Sequence, residues 1–159
     1  MKRMIISVLL AMLILMTGAV NIFAHPESFE EGSQSTVSNL ITIRKPDTAS
    51  VSTVNTTYSI TGVGSEGVSV SFYVYDGTNY VQCKNADGTP YSYTIGTSGV
   101  FYRQLSLTEG ENKVCVRAES SSGSCQLEYF TINVVKSEVV ININSFSLNM
   151  QSKLNGWLN

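Results

Sequence analysis

Residues 68–83 read VSVSFYVYDGTNYVQC, with an alternation of apolar and polar side chains on each side of DGTN. The apolar side chains of the first half share one parity, which is typical of a half-buried β-strand (Val68, Val70, Phe72 and Val74). Asp, Gly and Asn favour turns, because their side chains or backbones accept tight turn geometry. The stretch therefore predicts a β-hairpin whose second strand covers residues 80–83.

The same period of two continues on both sides of this hairpin. Further strands are predicted near residues 41–45, 58–62, 91–95, 101–107, 114–118 and 130–134. Turn-forming Gly, Asn, Asp and Ser residues separate them, and no stretch among them has a helical period. Because a small sheet must cover its apolar face, residues 41–135 are predicted to form an all-β sandwich of seven to eight antiparallel strands in two sheets.

Several short patterns in this region resemble the bacterial immunoglobulin-like domain family. They are Ile43-x-x-Pro46, Tyr58-x-Ile60-x-Gly62, Gly99-x-Phe101, Leu107-x-x-Gly110-x-Asn112-x-Val114-x-Val116-x-Ala118 and Gly123. The similarity is strongest over residues 107–114 (LTEGENKV), where Leu107 closes a strand in the core, Gly110 turns the chain and Asn112 occupies the following corner. The resemblance implies an immunoglobulin-like β-sandwich. Such domains serve as spacers, adhesion modules or accessories to carbohydrate-active enzymes on exported proteins, and they share no catalytic residues.

The N-terminus has the layout of a secretory signal peptide over residues 1–24. Lys2 and Arg3 precede an apolar run from Ile5 to Leu15, and Ala24 ends an acceptable cleavage site. The alternative is an uncleaved anchor, because Met4 to Ala24 is long enough for a spanning helix of ~20 residues. Either reading predicts an extracellular or cell-surface domain, with no membrane contact beyond the signal segment.

The remaining segments flank the predicted domain. Residues 25–40 are polar and acidic with few apolar side chains, so they are expected to form a flexible leader. Residues 136–159 contain a strand-like run at 139–143 and an apolar stripe at Leu148, Leu154, Trp157 and Leu158. This tail could be an extra strand, a short docking helix, a frayed end or the start of a truncated module.

Composition excludes several classes of function. The 159 residues carry a formal net charge of −2, which becomes more negative when Lys2 and Arg3 leave with the signal, so no nucleic-acid partner is expected. The sequence lacks the nucleophile-elbow, zinc-protease and phosphate-loop motifs, so the chain is predicted to be a non-enzyme without a cofactor. Asn85-x-Asp87-Gly88 is interpreted as a turn, because it lacks the other ligands of a calcium loop.

His25 and the cysteines have two readings each. His25 would become the mature N-terminus and could chelate copper, but the chain has no second His and a leader residue is the favoured interpretation. Cys83, Cys115 and Cys125 form an odd set, so at least one has no partner within the chain. If the last hairpin turns at Ser122, Cys115 lies opposite Tyr129, which argues against a Cys115–Cys125 disulfide.

The tyrosines provide the candidate binding face. If Phe72 points inward, its neighbours on the strand point outward, and the hairpin register adds side chains from the next strands. The candidate face consists of Tyr73, Tyr75, Tyr80, Arg117 and Tyr129. It could stack on sugar rings or contact a protein, or the rings could simply stabilise the sheet as cross-strand pairs.

The predicted function is therefore an exported, non-enzymatic module for surface adhesion, spacing or protein-partner binding. The alternative is a carbohydrate- or cell-wall-binding accessory domain that uses the tyrosine face. Cell-wall polysaccharide and another surface protein are the two partner classes that the sequence suggests.

Overall fold

The computed structural model describes residues 25–136 together with Phe146, Met150 and Gln151. The predicted signal peptide lies outside the described residues, as do the strand predicted at 139–143 and most of the predicted tail. No helix in the described part of the chain is long and apolar enough to cross a membrane.

Ten strands form two sheets in the described region. They are β1 (Ser28–Glu30), β2 (Ile41–Lys45), β3 (Ser50–Thr53), β4 (Thr57–Gly64), β5 (Ser69–Tyr75), β6 (Asn79–Gln82), β7 (Ser92–Thr94), β8 (Val100–Ser106), β9 (Gly110–Glu119) and β10 (Cys125–Val134). The larger sheet has the order β1-β6-β5-β9-β10-β3, with β7 also paired to β5, and the smaller sheet has the order β2-β4-β8. The predicted all-β, immunoglobulin-like sandwich is confirmed.

The strand count and one pairing differ from the prediction. Strands β1 and β3 were not expected, because each contributes a single large apolar side chain, Phe29 or Val51. Their partners, rather than their own alternation, hold them in the sheet. Strand β3 pairs with β10 in parallel, from Ser50 opposite Thr131 to Thr53 opposite Val134, so the sheets are not wholly antiparallel.

The main core lies between the sheets and uses the parities that the sequence indicates. Its fully buried members include Ile60, Phe72, Phe101, Val116 and Ile132. Burial of apolar surface is the main contribution to the stability of two packed sheets, and it stabilises by about 25 cal/mol for each Å² removed from water. The core therefore fixes which face of each strand points outward.

The β5–β6 turn is stabilised by the Asp and Gly residues that predict it in the sequence. In the β5–β6 hairpin, Asp76 Oδ1 accepts hydrogen bonds from the amides of Thr78 and Asn79, both at 2.9 Å. Gly77 has a φ of 104°, a left-handed conformation that favours glycine. The predicted hairpin at this turn is therefore confirmed, with Tyr75 opposite Tyr80.

The corner before β9 is built around Asn112, as the sequence indicates. Its buried amide donates to the carbonyls of Thr108 at 2.8 Å and Gly110 at 3.0 Å, and it reaches the carbonyl of Ile132 at 3.3 Å. Its oxygen accepts from the Thr108 amide at 3.0 Å. Asn112 thus satisfies backbone groups of the β8–β9 connection and of β10 at once.

Residues 25–40 differ most from expectation, because the predicted flexible leader is laid across the larger sheet. Strand β1 pairs antiparallel with the edge strand β6, from Ser28 opposite Val81 to Glu30 opposite Asn79. Further along, the amides of Thr36 and Val37 donate to the Cys125 carbonyl at 2.8 and 3.1 Å. We call residues 25–37 the N-terminal strap.

Candidate functional site: a covered aromatic face

The outer face of the larger sheet carries the residues predicted for the binding face. Strand β5 presents Tyr73 and Tyr75, and β6 presents Tyr80. In the β9–β10 pair, Cys115 lies opposite Tyr129, the register that the sequence predicts. These side chains form a second apolar cluster with Cys125 and Leu127, separate from the main core.

The predicted exposure of this face is wrong. Tyr73 is 0% exposed and Tyr80 is 3% exposed, whereas Tyr75, Arg117 and Tyr129 are half-buried. The strap lies over the rings, so the five residues do not form an open platform. The parity of the strands was correctly predicted, but the cover came from a segment assigned to a flexible leader.

Phe29 is the centre of the covering contact. Its ring meets Tyr73 edge-on at 4.8 Å between centroids and stacks on Tyr80 at 5.4 Å with 17° between the planes. Tyr80 in turn lies 5.3 Å from the rings of both Tyr75 and Tyr129. Such offset and edge-to-face pairs stabilise by about 0.5–1.5 kcal/mol each beyond their buried area.

Hydrogen bonds connect the strap to the phenols and backbone beneath it. The Tyr73 hydroxyl donates to the Pro26 carbonyl at 2.9 Å, and the Tyr129 hydroxyl donates to the Ser33 carbonyl at 2.9 Å. The Gln82 amide donates to the Glu27 carbonyl at 2.9 Å. Burial of the two hydroxyls away from water raises the pKa of both Tyr73 and Tyr129.

Charged side chains border the face. Lys113 Nζ lies 2.7 Å from Glu31 Oε1 and 5.0 Å from the centre of the Tyr75 ring. The hydrogen bond from Lys113 lowers the pKa of the exposed Glu31 carboxyl. Arg117 donates to Glu119 at 2.9 Å, so its guanidinium is paired within β9 instead of pointing freely into solvent.

His25 begins the strap and is buried rather than free. Its side chain is 3% exposed, and its Nε2 lies 2.8 Å from Ser69 Oγ. Its Nδ1 has no hydrogen-bond partner and lies 3.6 Å from Glu119 Oε2. Burial lowers the pKa of His25, against the raising effect of Glu119 and with a further lowering by Arg117.

A groove remains open beside the strap. It has a volume of about 570 Å³ and lies between strap residues 31–35 and the outer surface of β10. Tyr129 and Lys113 line it, together with strap residues 31–35. Within this groove, the half-buried Tyr129 of the predicted face remains open to a ligand.

The cysteines lack the properties of nucleophiles. All three are free thiols in the structure. Burial raises the pKa of Cys83 to about 11 and raises the pKa of Cys115 and Cys125 as well. Because the thiolate is the reactive form, these side chains are inert packing groups at neutral pH.

The acidic turn residues Asp76 and Asp87 accept hydrogen bonds from backbone amides of their own turns. Asp87 Oδ1 accepts from the Thr89 amide at 3.0 Å and from its hydroxyl, as Asp76 does in its own turn. Within residues 25–136 and the three described tail positions, no group of three or more His, Cys, Asp and Glu side chains could hold a metal ion.

Sequence reasoning missed the strap, although a signal for it was present. The outward positions of β5, β9 and β10 include Tyr73, Cys115, Cys125 and Leu127, which is more apolar than a solvated face requires. Such a face calls for a cover. Phe29 is the one aromatic residue of the polar segment that precedes the domain, and it provides that cover.

Comparisons with known proteins give matches to solved structures but not to sequences. No protein-family model matches the chain, and no curated protein matches its sequence. A solved structure of fibronectin(III)-like modules of Clostridium thermocellum CbhA is similar at 19% identity and a TM-score of 0.37. The match covers 61% of this chain and 98% of that chain. The class of protein defined by the present fold is an immunoglobulin-like β-sandwich module.

Proposed function

We propose that the chain is an exported, non-catalytic immunoglobulin-like module that spaces or links surface proteins and carries tension between its two ends. The observation that carries this proposal is that His25 and Val134, near the two limits of the described domain, lie at opposite ends of the sandwich. The resemblance to bacterial immunoglobulin-like domains and the signal-like residues 1–24 support the surface location.

The positions of the ends follow from the register of the larger sheet. His25 contacts Ser69 and Glu119, which are paired with each other at one end of β5 and β9. At the other end of β9, Gly110 is paired with Val134, the last residue of β10. The ten residues of β9 separate these two ends by roughly 30 Å at ~3.3 Å per residue.

The parallel pair of β3 and β10 is suited to resist such tension. The two strands run in the same direction, so pulling the N-terminal side of β3 against the C-terminal side of β10 loads their hydrogen bonds in shear. The amides of Thr131 and Val135 donate to the carbonyls of Ala49 and Thr53, both at 2.8 Å. Bonds loaded in shear must break together, whereas bonds unzipped from one end break singly.

A single-molecule pulling experiment tests this proposal, with the domain held between marker domains. In a parallel pair, a residue whose carbonyl accepts a hydrogen bond from the neighbouring strand also points its amide at that strand. The Thr53 carbonyl accepts from the Val135 amide, so the Thr53 amide faces β10. Proline has no amide hydrogen, and Thr53→Pro therefore removes one hydrogen bond of the pair. Ser52→Pro is the matched control, because its amide points away from β10. The proposal predicts a lower unfolding force for Thr53→Pro and an unchanged force for Ser52→Pro. Equal forces for wild type and Thr53→Pro would refute it.

The second candidate is a carbohydrate- or cell-wall-binding module, favoured by the groove beside Tyr129. Co-sedimentation of the chain with cell-wall sacculi and insoluble polysaccharides tests this function. Pelleting that is lost in Tyr129→Ala but kept in Tyr129→Phe would support it, because the phenylalanine ring still stacks without the bond to Ser33. An absence of pelleting would leave the spacer and protein-linking function.

A further inference from the structure

The N-terminal strap is joined to the rest of the sandwich by two exposed residues. Its last docked residue is Val37, whose amide donates to the Cys125 carbonyl at 3.1 Å. The Leu40 amide already donates to Gln126 Oε1 at 2.7 Å, and Gln126 Nε2 donates to the Ile41 carbonyl at 3.0 Å. The start of β2 is therefore anchored independently of the strap, and residues 38–39 form a hinge between two fixed points.

The strap and its receiving surface are complementary along their length. Phe29 lies against Tyr73 and Tyr80 near the middle of the surface. The ion pair of Glu31 with Lys113 lies beyond it, and the contact of His25 with Ser69 lies at the opposite end of β1. These contacts are made by groups on the strap and the sheet, so they do not depend on which chain supplies the strap.

An empty receiving surface would be costly to leave in water. Release of the strap would expose the β6 edge and the rings of Tyr73 and Tyr80, which the strap now covers. An unpaired strand edge beside apolar rings is a ready template for another strand. The same strap of a second copy carries every group that makes these contacts, so it can fill the surface.

We propose that residues 25–37 are an exchangeable strap, and that two copies of this chain swap straps to form a symmetric dimer with the hinge at residues 38–39 extended. Each sandwich then receives β1 from its partner and keeps the contacts of the closed monomer. This inference is independent of the spacer proposal, because it rests on the strap alone. In the swapped state the two modules are linked side by side through their hinges.

A pair of hinge variants tests the exchange. Deletion of Ser38 and Asn39 shortens the connection between the anchored residues Val37 and Leu40, which disfavours docking of the strap on its own sandwich and favours docking on a second copy. Insertion of a flexible Gly-Ser-Gly-Ser after Asn39 relaxes the hinge and is the matched control. By light scattering, the deletion variant is expected to be a dimer and the insertion variant a monomer.

A disulfide reporter shows which chain supplies β1. Ser28 and Val81 are direct partners in the β1–β6 register, so Ser28→Cys with Val81→Cys traps the docked strap. On a denaturing, non-reducing gel, the reporter should join two chains in the deletion variant and close within one chain in the insertion variant. Val81→Cys alone controls for pairing with the native cysteines.

Two further measurements make the outcome decisive. Refolding the wild-type chain with the reporter at rising protein concentration should raise the fraction of chains joined in pairs, even if the deletion variant fails to fold. Phe29→Ala in the deletion background should abolish the dimer. The proposal is overturned if the reporter closes within one chain under every condition, or if the Phe29→Ala variant still dimerises.

Discussion

The phenolic oxygen of Tyr73 lies 2.9 Å from the carbonyl oxygen of Pro26, 47 positions earlier in the chain. Tyr73 is fully buried on the outer face of the larger sheet, where a tyrosine would ordinarily meet solvent. The bond therefore marks a second, smaller core formed between the sheet and the strap. The stability of this outer layer can be tested separately from that of the main core.

Tyr73→Phe removes only this hydroxyl and leaves the ring in place. Loss of the bond, with the Pro26 carbonyl left unpaired, should lower the free energy of unfolding by about 1 kcal/mol. Tyr93→Phe is the control, because Tyr93 is 38% exposed and its substitution should change the free energy by less than about 0.5 kcal/mol. Urea denaturation measures both, and equal values would contradict the role assigned to the bond.

Phe29→Ala removes the ring that covers Tyr73 and Tyr80. The lost packing should lower the free energy of unfolding by about 2–3 kcal/mol, below the full range for a core phenylalanine because Phe29 is only half-buried. The matched control is Tyr102→Ala, because Tyr102 is 54% exposed on the smaller sheet. If the two variants had the same midpoint in urea, the strap would not be stabilising the domain.

The buried imidazole of His25 predicts a dependence of stability on pH. Burial lowers the pKa of His25 below its ordinary value of 6.5, so the unfolded chain binds the proton more readily than the folded protein. The contribution of His25 is therefore complete above pH 6.5 and is lost as the pH falls through the lowered folded-state pKa. The difference in free energy of unfolding between wild type and His25→Gln should shrink between about pH 7 and about pH 5.

This comparison isolates His25 from the carboxylates. The pKa values of Glu31, Asp76 and Asp87 are also lowered by their hydrogen bonds, so acid weakens the folded protein through them as well. Those groups are the same in wild type and His25→Gln, and their effects cancel in the difference. A difference that stays constant with pH would show that the imidazole is not buried against the sheet.

Asn112→Ala should destabilise the corner between β8 and β9. The side chain satisfies the carbonyls of Thr108 and Gly110 and the amide of Thr108, and alanine leaves these groups without their partners. The expected loss is about 2–3 kcal/mol in the free energy of unfolding. Asn133→Ala serves as the control, because Asn133 is exposed on β10; equal losses at both positions would refute the corner assignment.

The sandwich could be predicted from the sequence because its strands carry their own signals. The alternation from Val68 to Val74, the Asp76–Asn79 turn and the Asn112 corner are local patterns, and each appears in the structure where expected. Strand β3 could not be predicted in the same way. Its residues Ser50 to Thr53 alternate weakly, and parallel pairing with β10 depends on a partner about 80 positions away.

The candidate site was predicted in part. Strand parity correctly placed Tyr73, Tyr75, Tyr80 and Tyr129 on the outer face, because side chains alternate along a strand. Their exposure was wrongly predicted, because the composition of residues 25–40 indicates only whether that segment can fold by itself. It does not indicate whether the segment can dock on a sheet that is already formed. The polar strap has no core of its own, yet it is ordered by Phe29 and by backbone hydrogen bonds to a sheet that is already formed.

Amide hydrogen exchange at Gln82 tests most directly whether the strap is an integral part of the domain. The Gln82 amide donates to the Glu27 carbonyl, so its protection depends on β1 being docked at the β6 edge. We expect slow exchange at Gln82 in the wild-type chain, and fast exchange there in Phe29→Ala while amides in the β5–β9 pair stay protected. Fast exchange at Gln82 in the wild-type chain would contradict the account, because it would show that the strap does not cover the aromatic face.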